Sequence, residues 1–355
     1  MPSTMRALVA RSGSVVLEER PIPSAGDTEV VVRTTAASLC GADTSGVTGS
    51  FGVADGTIIG HESVGVVAEV GRAVQGFSVG DRVAVGSATA CGQCRNCQRN
   101  DHGHCRGKLW GAYSAGVERD GSMAEFFTVP DAGRNLARIP NDVPDDLAVC
   151  VTDTLASGTT GPEAAAVPLG GTVAVFGQGH IGLGAAAGAR LIGASRVIAV
   201  KASPGSEDVS RAMGADICLN LAEHDVIAEI HALTDGEGVD CAIEASGVIA
   251  SFPRVLEATR FGGTAVVLSS YDADDAATLQ IPLAHFGFGL GEKTILSTFS
   301  RTGNERLERL FALVQMRRVN LSPLITHHYR FDDAPQAFTD LVVRKPGLIK
   351  PLILF

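Results

Sequence analysis

A chain of 355 residues is long enough for two domains that each bury a core, and 45% hydrophobic with 19% charged residues is an ordinary globular composition. The formal net charge of -10 argues against a nucleic-acid partner. Apolar runs such as residues 181–193 are too short for a membrane span and contain Arg190, so no membrane partner is expected. The opening Met1-Pro2-Ser3-Thr4-Met5-Arg6 has no apolar signal core, and four of the eight cysteines crowd into one cluster, which points to a reducing cytoplasm. In chain order, residues 5–17 and 29–34 read as strands separated by Pro21, Pro23 and Gly26. Residues 64–70 and 82–85 continue the β pattern through Gly71, Gly76 and Gly80. This predicts a compact, mostly β, partly closed barrel.

Residues 125–129 form a further predicted strand, and the texture changes from about Asp145, where paired acids suit a helix N-terminus. Strands are predicted at 172–176, 196–200, 217–219, 239–245, 264–268 and 294–298. Helices are predicted between them, near residues 207–213, 223–233 and 253–259. That alternation implies an α/β domain with a doubly wound parallel sheet. Residues 304–317 make an amphipathic helix with Leu307, Leu310, Phe311 and Val314 on one face, and 334–343 make another.

Three clusters carry chemistry. Ile59-Gly60-His61-Glu62 sets a histidine beside a carboxylate at a strand end, with Cys40 upstream and Asp153 downstream. Sulfur, imidazole and carboxylate together can hold a zinc ion with one position left open. Cys150 is a rival to Asp153. Cys91, Cys94, Cys97 and Cys105 are spaced to surround one tetrahedral zinc with no open position, a structural site; local disulfides are the alternative. Trp110, the only tryptophan, follows in a glycine-containing loop and fits either a core or a pocket.

The third cluster is Gly177-Gln178-Gly179-His180-Ile181-Gly182, between a predicted strand and a predicted helix. In that setting Gly177 serves the tight turn, Gly179 the approach of a pyrophosphate, and Gly182 the packing of helix on strand. The helix N-terminus supplies N–H donors to the phosphates. Where an NAD site usually has an acid, the next strand ends in Lys201-Ala202-Ser203, and a cation there favours the 2′-phosphate of NADP. The alternative is a solvated lysine, with Glu207 or Asp208 reaching the ribose. NADP(H) is expected over NAD(H).

These residues resemble the zinc-dependent medium-chain alcohol dehydrogenases over essentially the whole chain. Gly60-His61-Glu62-x-x-Gly65-x5-Gly71-x-x-Val74 looks like that family's zinc signature, and the four-cysteine lobe looks like its structural zinc loop. The likeness implies a GroES-like catalytic domain over residues 1–154 and 299–355 and a Rossmann domain over 155–298. It implies two zinc ions per chain, with Cys40, His61 and Asp153 as catalytic ligands and Glu62 as an adjacent carboxylate. Asp43 resembles the acid that orients the ligand histidine.

Within the family the chain is most similar to bacterial NADP-dependent secondary-alcohol dehydrogenases, on Asp153, Trp110, Glu125-Phe126-Phe127 and Leu348-Ile349-Lys350. That branch implies Trp110 and Ser157 in the substrate pocket, Lys350 near the coenzyme phosphates, and a homodimer or homotetramer. The chain departs from it in keeping the four cysteines. It also has Ala42 where a hydroxyl residue is usual and Ser45 where a relay histidine occurs, so water with Thr44 or Ser45 is expected to carry the proton. The expected activity is interconversion of a small alcohol, of the secondary class, and its carbonyl. A polyol or amino-alcohol dehydrogenase using NAD, and a dinucleotide-binding protein without turnover, are the rival readings.

Overall fold

The structure is a computed structural model describing residues 3–49, 52–106, 116–117, 119–201, 207–272 and 276–355. The chain divides into two compact units: Met1–Ala156 with Ser300–Arg317 and Leu324–Phe355, and Ser157–Phe299 with Arg318–Pro323.

The first unit is mostly β. Strands β1 (Thr4–Arg11) and β2 (Ser14–Pro21) form an antiparallel hairpin, where the sequence suggested one long apolar stretch. Ser12 and Gly13, at φ 48° and 75°, make the reversal, a left-handed pair that hydrophobic periodicity does not register. The main sheet uses β3 (Val30–Ser38), β4 (Glu62–Val70), β5 (Arg82–Val85), β6 (Phe126–Val129) and β7 (Leu136–Arg138). The late strands β14 (Ile325–Arg330) and β15 (Lys350–Leu354) complete it in the order β14-β15-β3-β4-β5-β7, with β6 also paired to β3. This path is open-ended, so the expected barrel is seen here as a sheet and a hairpin, tied by single bridges such as Val9 to Ile58. One core packs Leu8, Leu39, Ile59, Met123, Phe338 and Ile353, and another packs Val32, Val67, Val85 and Phe127.

Register in this sheet positions the chemistry. Ser38 pairs with Glu62 on one side and with Leu352 on the other. The end of β3 therefore delivers Cys40, the start of β4 delivers His61 and Glu62, and the start of β15 delivers Lys350 to the same edge.

The second unit is a six-stranded parallel sheet. Its strands are β8 (Thr172–Phe176), β9 (Arg196–Lys201), β10 (Ile217–Asn220), β11 (Val239–Glu244), β12 (Thr259–Val267) and β13 (Thr294–Ser297). The order β10-β9-β8-β11-β12-β13 reverses between β8 and β11, the switch point of a Rossmann fold. Alternate residues of β8 enter different cores: Val173 and Val175 join Ala185, Ala186 and Ala189, whereas Ala174 and Phe176 join Val226, Ile230, Val255 and Leu256. Helices thus cover both faces, which is why these strands read as continuous apolar runs. No helix among the described residues is long and apolar enough to cross a membrane.

Candidate active site

Cys40 caps the helix Gly41–Thr48, its Sγ accepting from the Ala42 amide at 3.2 Å. Asp43 has two partners. Its Oδ2 accepts from the Cys40 amide at 2.9 Å, and its Oδ1 lies 3.2 Å from His61 Nδ1. With Nδ1 held by a carboxylate, the imidazole presents Nε2, which lies 3.4 Å from Cys40 Sγ. Burial lowers the His61 pKa, but Asp43 and Cys40 outweigh it and hold the imidazole well above its ordinary value. Gly60, at φ +94°, makes the bend before His61; a Cβ there would stand 2.9 Å from the Met123 amide.

Asp153 arrives from a distant segment, a π-helical turn at Val151–Leu155 that continues the helix Asp145–Cys150. Such a wide turn re-aims side chains and recurs at functional positions. One ligand atom each from Cys40, His61, Glu62 and Asp153 lie within 4.8 Å of one another. Cys150 is outside this group; its fully buried thiol is pushed up to about 12 by burial, a poor setting for a thiolate ligand. Glu62 is wholly buried: Oε1 accepts from Lys350 Nζ at 2.5 Å, and Oε2 has no hydrogen-bond partner. A buried carboxylate oxygen left open beside thiol, imidazole and carboxylate donors fits a divalent cation, and this donor set suits zinc.

Lys350 therefore departs from its expected place beside the coenzyme phosphates. It is 1% exposed and sits against Glu62. Burial opposes its charge, yet Glu62, Cys40 and Asp153 outweigh it and raise its pKa, which favours the ammonium form. Ser157 is buried just past the helical turn of Asp153, in the second unit. Ala42 is exposed, and the Thr44 hydroxyl donates to the Gly41 carbonyl at 2.9 Å. Trp110 and Ser203 lie outside the described residues.

The second cluster is local. Ligand atoms of Cys91, Cys94, Cys97 and Cys105 lie within 4.8 Å of one another, and none of the eight cysteines forms a disulfide. Backbone amides point at the sulfurs: Cys91 donates to Cys105 at 3.3 Å, Cys94 to Cys91 at 3.4 Å, and Arg106 to Cys94 at 3.4 Å. The amides of Arg106 and Cys97, that of Arg106 foremost, lower the Cys94 thiol to about 6, while burial lifts Cys97 to about 12. Four sulfurs at this separation fit a closed tetrahedral zinc shell.

In the second unit, β8 ends at the glycine loop. Gly177 has φ +97°, and a Cβ on it would lie 2.6 Å from the Ser246 backbone. A Cβ on Gly182 would lie 1.9 Å from the Gly177 carbonyl, so helix and loop touch through backbone alone. Gly179 is exposed with open space where a Cβ would be, as a backbone that receives a phosphate requires. It also caps the helix His180–Leu191, whose half-exposed first residues are His180 and Ile181. At the end of β9, Lys201 is 3% exposed and its Nζ donates to Glu207 Oε1 at 2.7 Å. The lysine is therefore not solvated, the alternative its sequence position offered, and its charge already meets that of Glu207.

Comparison with known proteins supplies the class. The profile described as "Alcohol dehydrogenase GroES-like domain" matches residues 26–141, and that described as "Zinc-binding dehydrogenase" matches residues 181–316. The chain belongs to the zinc-dependent medium-chain alcohol dehydrogenases, oxidoreductases that exchange a hydride between an alcohol or its carbonyl and a nicotinamide dinucleotide. An alcohol dehydrogenase of Cupriavidus necator is 37% identical, over 99% of this chain and 98% of the relative. An NADP-dependent isopropanol dehydrogenase of Thermoanaerobacter brockii is also 37% identical, over 96% of this chain and 97% of that one. Among solved structures, an alcohol dehydrogenase from Thermus sp. ATN1 superposes with a TM-score of 0.88 at 28% identity, covering 99% of both chains.

Proposed function

We propose that this chain interconverts a small secondary alcohol and its ketone, using NADP(H) in preference to NAD(H). The observation that carries the reading is the group of Cys40, His61, Glu62 and Asp153, buried except for a partly exposed His61, whose donors converge beside a carboxylate oxygen left without a hydrogen bond. Cys40, His61 and Asp153 would hold a catalytic zinc, and Cys91, Cys94, Cys97 and Cys105 a structural one. The metal supplies Lewis-acid polarisation of a substrate oxygen, and the dinucleotide supplies hydride exchange.

The remaining roles belong to the chain. Asp43 keeps the proton of His61 on Nδ1, so that Nε2 is the ligand atom. Lys350 holds Oε1 of Glu62 and leaves Oε2 as the carboxylate oxygen that could approach the cation. Ala42 offers no hydroxyl, so the alcohol proton leaves through water, with Thr44 or Ser45 on the same helix as candidate relays. The first unit thus acts as the catalytic unit. In the second unit, Gly177, Gly179 and Gly182 with the His180–Leu191 helix terminus hold the pyrophosphate, and Lys201 faces the adenosine ribose. The relative named as an NADP-dependent isopropanol dehydrogenase supports both the coenzyme and the substrate class. A homodimer or homotetramer is proposed on the family likeness, and the cytoplasm on the clustered cysteines.

The test is coenzyme oxidation with a panel of ketones, polyols and amino alcohols against both dinucleotides. Ketone reduction with a higher kcat/KM for NADPH is expected. Turnover restricted to amino alcohols or polyols with NAD would overturn the substrate and coenzyme assignment together, and absence of any turnover would favour a binding protein.

A further inference from the structure

Resting on the coenzyme reading above, we infer that Glu207 sets the selectivity for the 2′-phosphate by occupying Lys201 whenever that phosphate is absent. Lys201 closes β9, the strand beside the one that leads into the glycine loop, and its side chain is 3% exposed. A buried ammonium is costly to leave without an anion. Glu207 provides one, through a 2.7 Å contact between Lys201 Nζ and its Oε1.

The two partners are unequal. Glu207 opens the helix Glu207–Ala212 and is 45% exposed, so its carboxylate can turn into water at little cost. Lys201 cannot leave. It can only exchange one anion for another. A phosphate on the 2′-oxygen of the adenosine ribose is an anion of the right kind, and it would displace the carboxylate rather than fill an empty place. The displaced Glu207 keeps solvent and a second cation, since Arg211, one turn along the same helix, also favours its charged form.

Two consequences distinguish this arrangement from an open lysine. A dinucleotide without the 2′-phosphate leaves the Lys201–Glu207 pair intact, so NAD is accepted. A dinucleotide with it must first release Glu207, so the preference for NADP is weaker than a free cation would confer. Glu207 is then a specificity-determining residue that acts by competition, and Lys201 is the group competed for.

The experiment uses the full-length protein and equilibrium titration with NADP+ and with NAD+, together with 2′,5′-ADP and 5′-AMP as probes of the phosphate alone. Glu207→Gln removes the competing charge while keeping size. It should raise the ratio of the NAD+ to the NADP+ dissociation constant roughly tenfold to hundredfold, the range of a charge-assisted hydrogen bond. Lys201→Met should lower the same ratio below wild type. Thermal unfolding gives a readout independent of turnover: Glu207→Gln should lower the Tm of the free protein, and saturating NADP+ or 2′,5′-ADP should raise the Tm of that variant by more than it raises wild type, whereas NAD+ or 5′-AMP should raise the two equally. If Glu207→Gln leaves the ratio unchanged while Lys201→Met lowers it, the competition is refuted and the coenzyme site stands. If neither substitution moves the ratio, Lys201 does not face the ribose and both readings fall.

Discussion

The two sulfur-bearing clusters of the first unit are built in opposite ways. The four-cysteine lobe draws identical donors from fifteen consecutive residues, and neighbouring backbone amides point at its sulfurs. The Cys40, His61, Glu62 and Asp153 cluster draws three donor types from three segments spread over more than a hundred residues of chain. Cys40 has a helix N-terminus behind it, His61 has Asp43, and Glu62 has Lys350. A closed shell needs only enough thiolates at the right spacing. A site with an open position has to hold each ligand from behind, because no fourth protein ligand locks the others in place. That support comes from tertiary structure.

If this contrast is right, the largest effect belongs to the dispersed cluster. His61→Ala should abolish turnover and remove one zinc per chain, leaving dinucleotide affinity unchanged because the glycine loop is in the other unit. Metal analysis and NADP+ titration check both halves. Retention of both zinc ions would show that His61 is not a ligand.

Next in size is the support behind that cluster. Lys350→Met strands Glu62 in a fully buried position, which costs about 3–5 kcal/mol. The double substitution with Glu62→Gln should recover much of that in urea unfolding of the metal-depleted protein. If the double variant is no more stable than Lys350→Met alone, the ion pair is not what holds this corner.

The lobe should respond in stability rather than in chemistry. Cys94→Ser is expected to lower zinc from two to one per chain and to lower Tm, by roughly 2–4 °C for each kcal/mol lost. Turnover per folded molecule should stay near wild type. A variant that keeps its Tm but loses turnover would reverse the roles assigned to the two clusters.

The smallest effect separates acid release of metal from acid unfolding of the frame. Asp340 is held down to about 2 by hydrogen bonds from Lys345, Tyr329 and Gln336. A carboxylate with a depressed pKa stabilises the fold above its unfolded value, ~4, and that contribution is lost as pH falls towards about 2. Asp340→Asn should flatten this acid limb in unfolding curves without altering the pH at which zinc leaves either cluster. A shift in zinc release would tie Asp340 to the metal sites.

Much of this was readable from residues alone, for one physical reason: local spacing carries it. Four cysteines close together, glycines between a strand and a helix, and apolar runs spaced by helices each define their structure within a few turns of chain. The glycine loop is the clearest case, since the positive φ of Gly177 and the backbone contact of Gly182 leave no room for another residue. Other features depended on register between distant segments. Leu352 against Ser38 against Glu62 is what carries Lys350 into the metal cluster, and β15 gave no periodic signal of its own. The sequence already favoured Asp153 over Cys150, and the π-helical turn is the local geometry that groups Asp153 with Cys40 and His61. The sequence likewise placed Lys201 at a strand end, but only the packing of the following helix showed that Glu207 already holds its charge. Charges act through space, so which anion a lysine meets is settled by the fold and not by its neighbours in the chain.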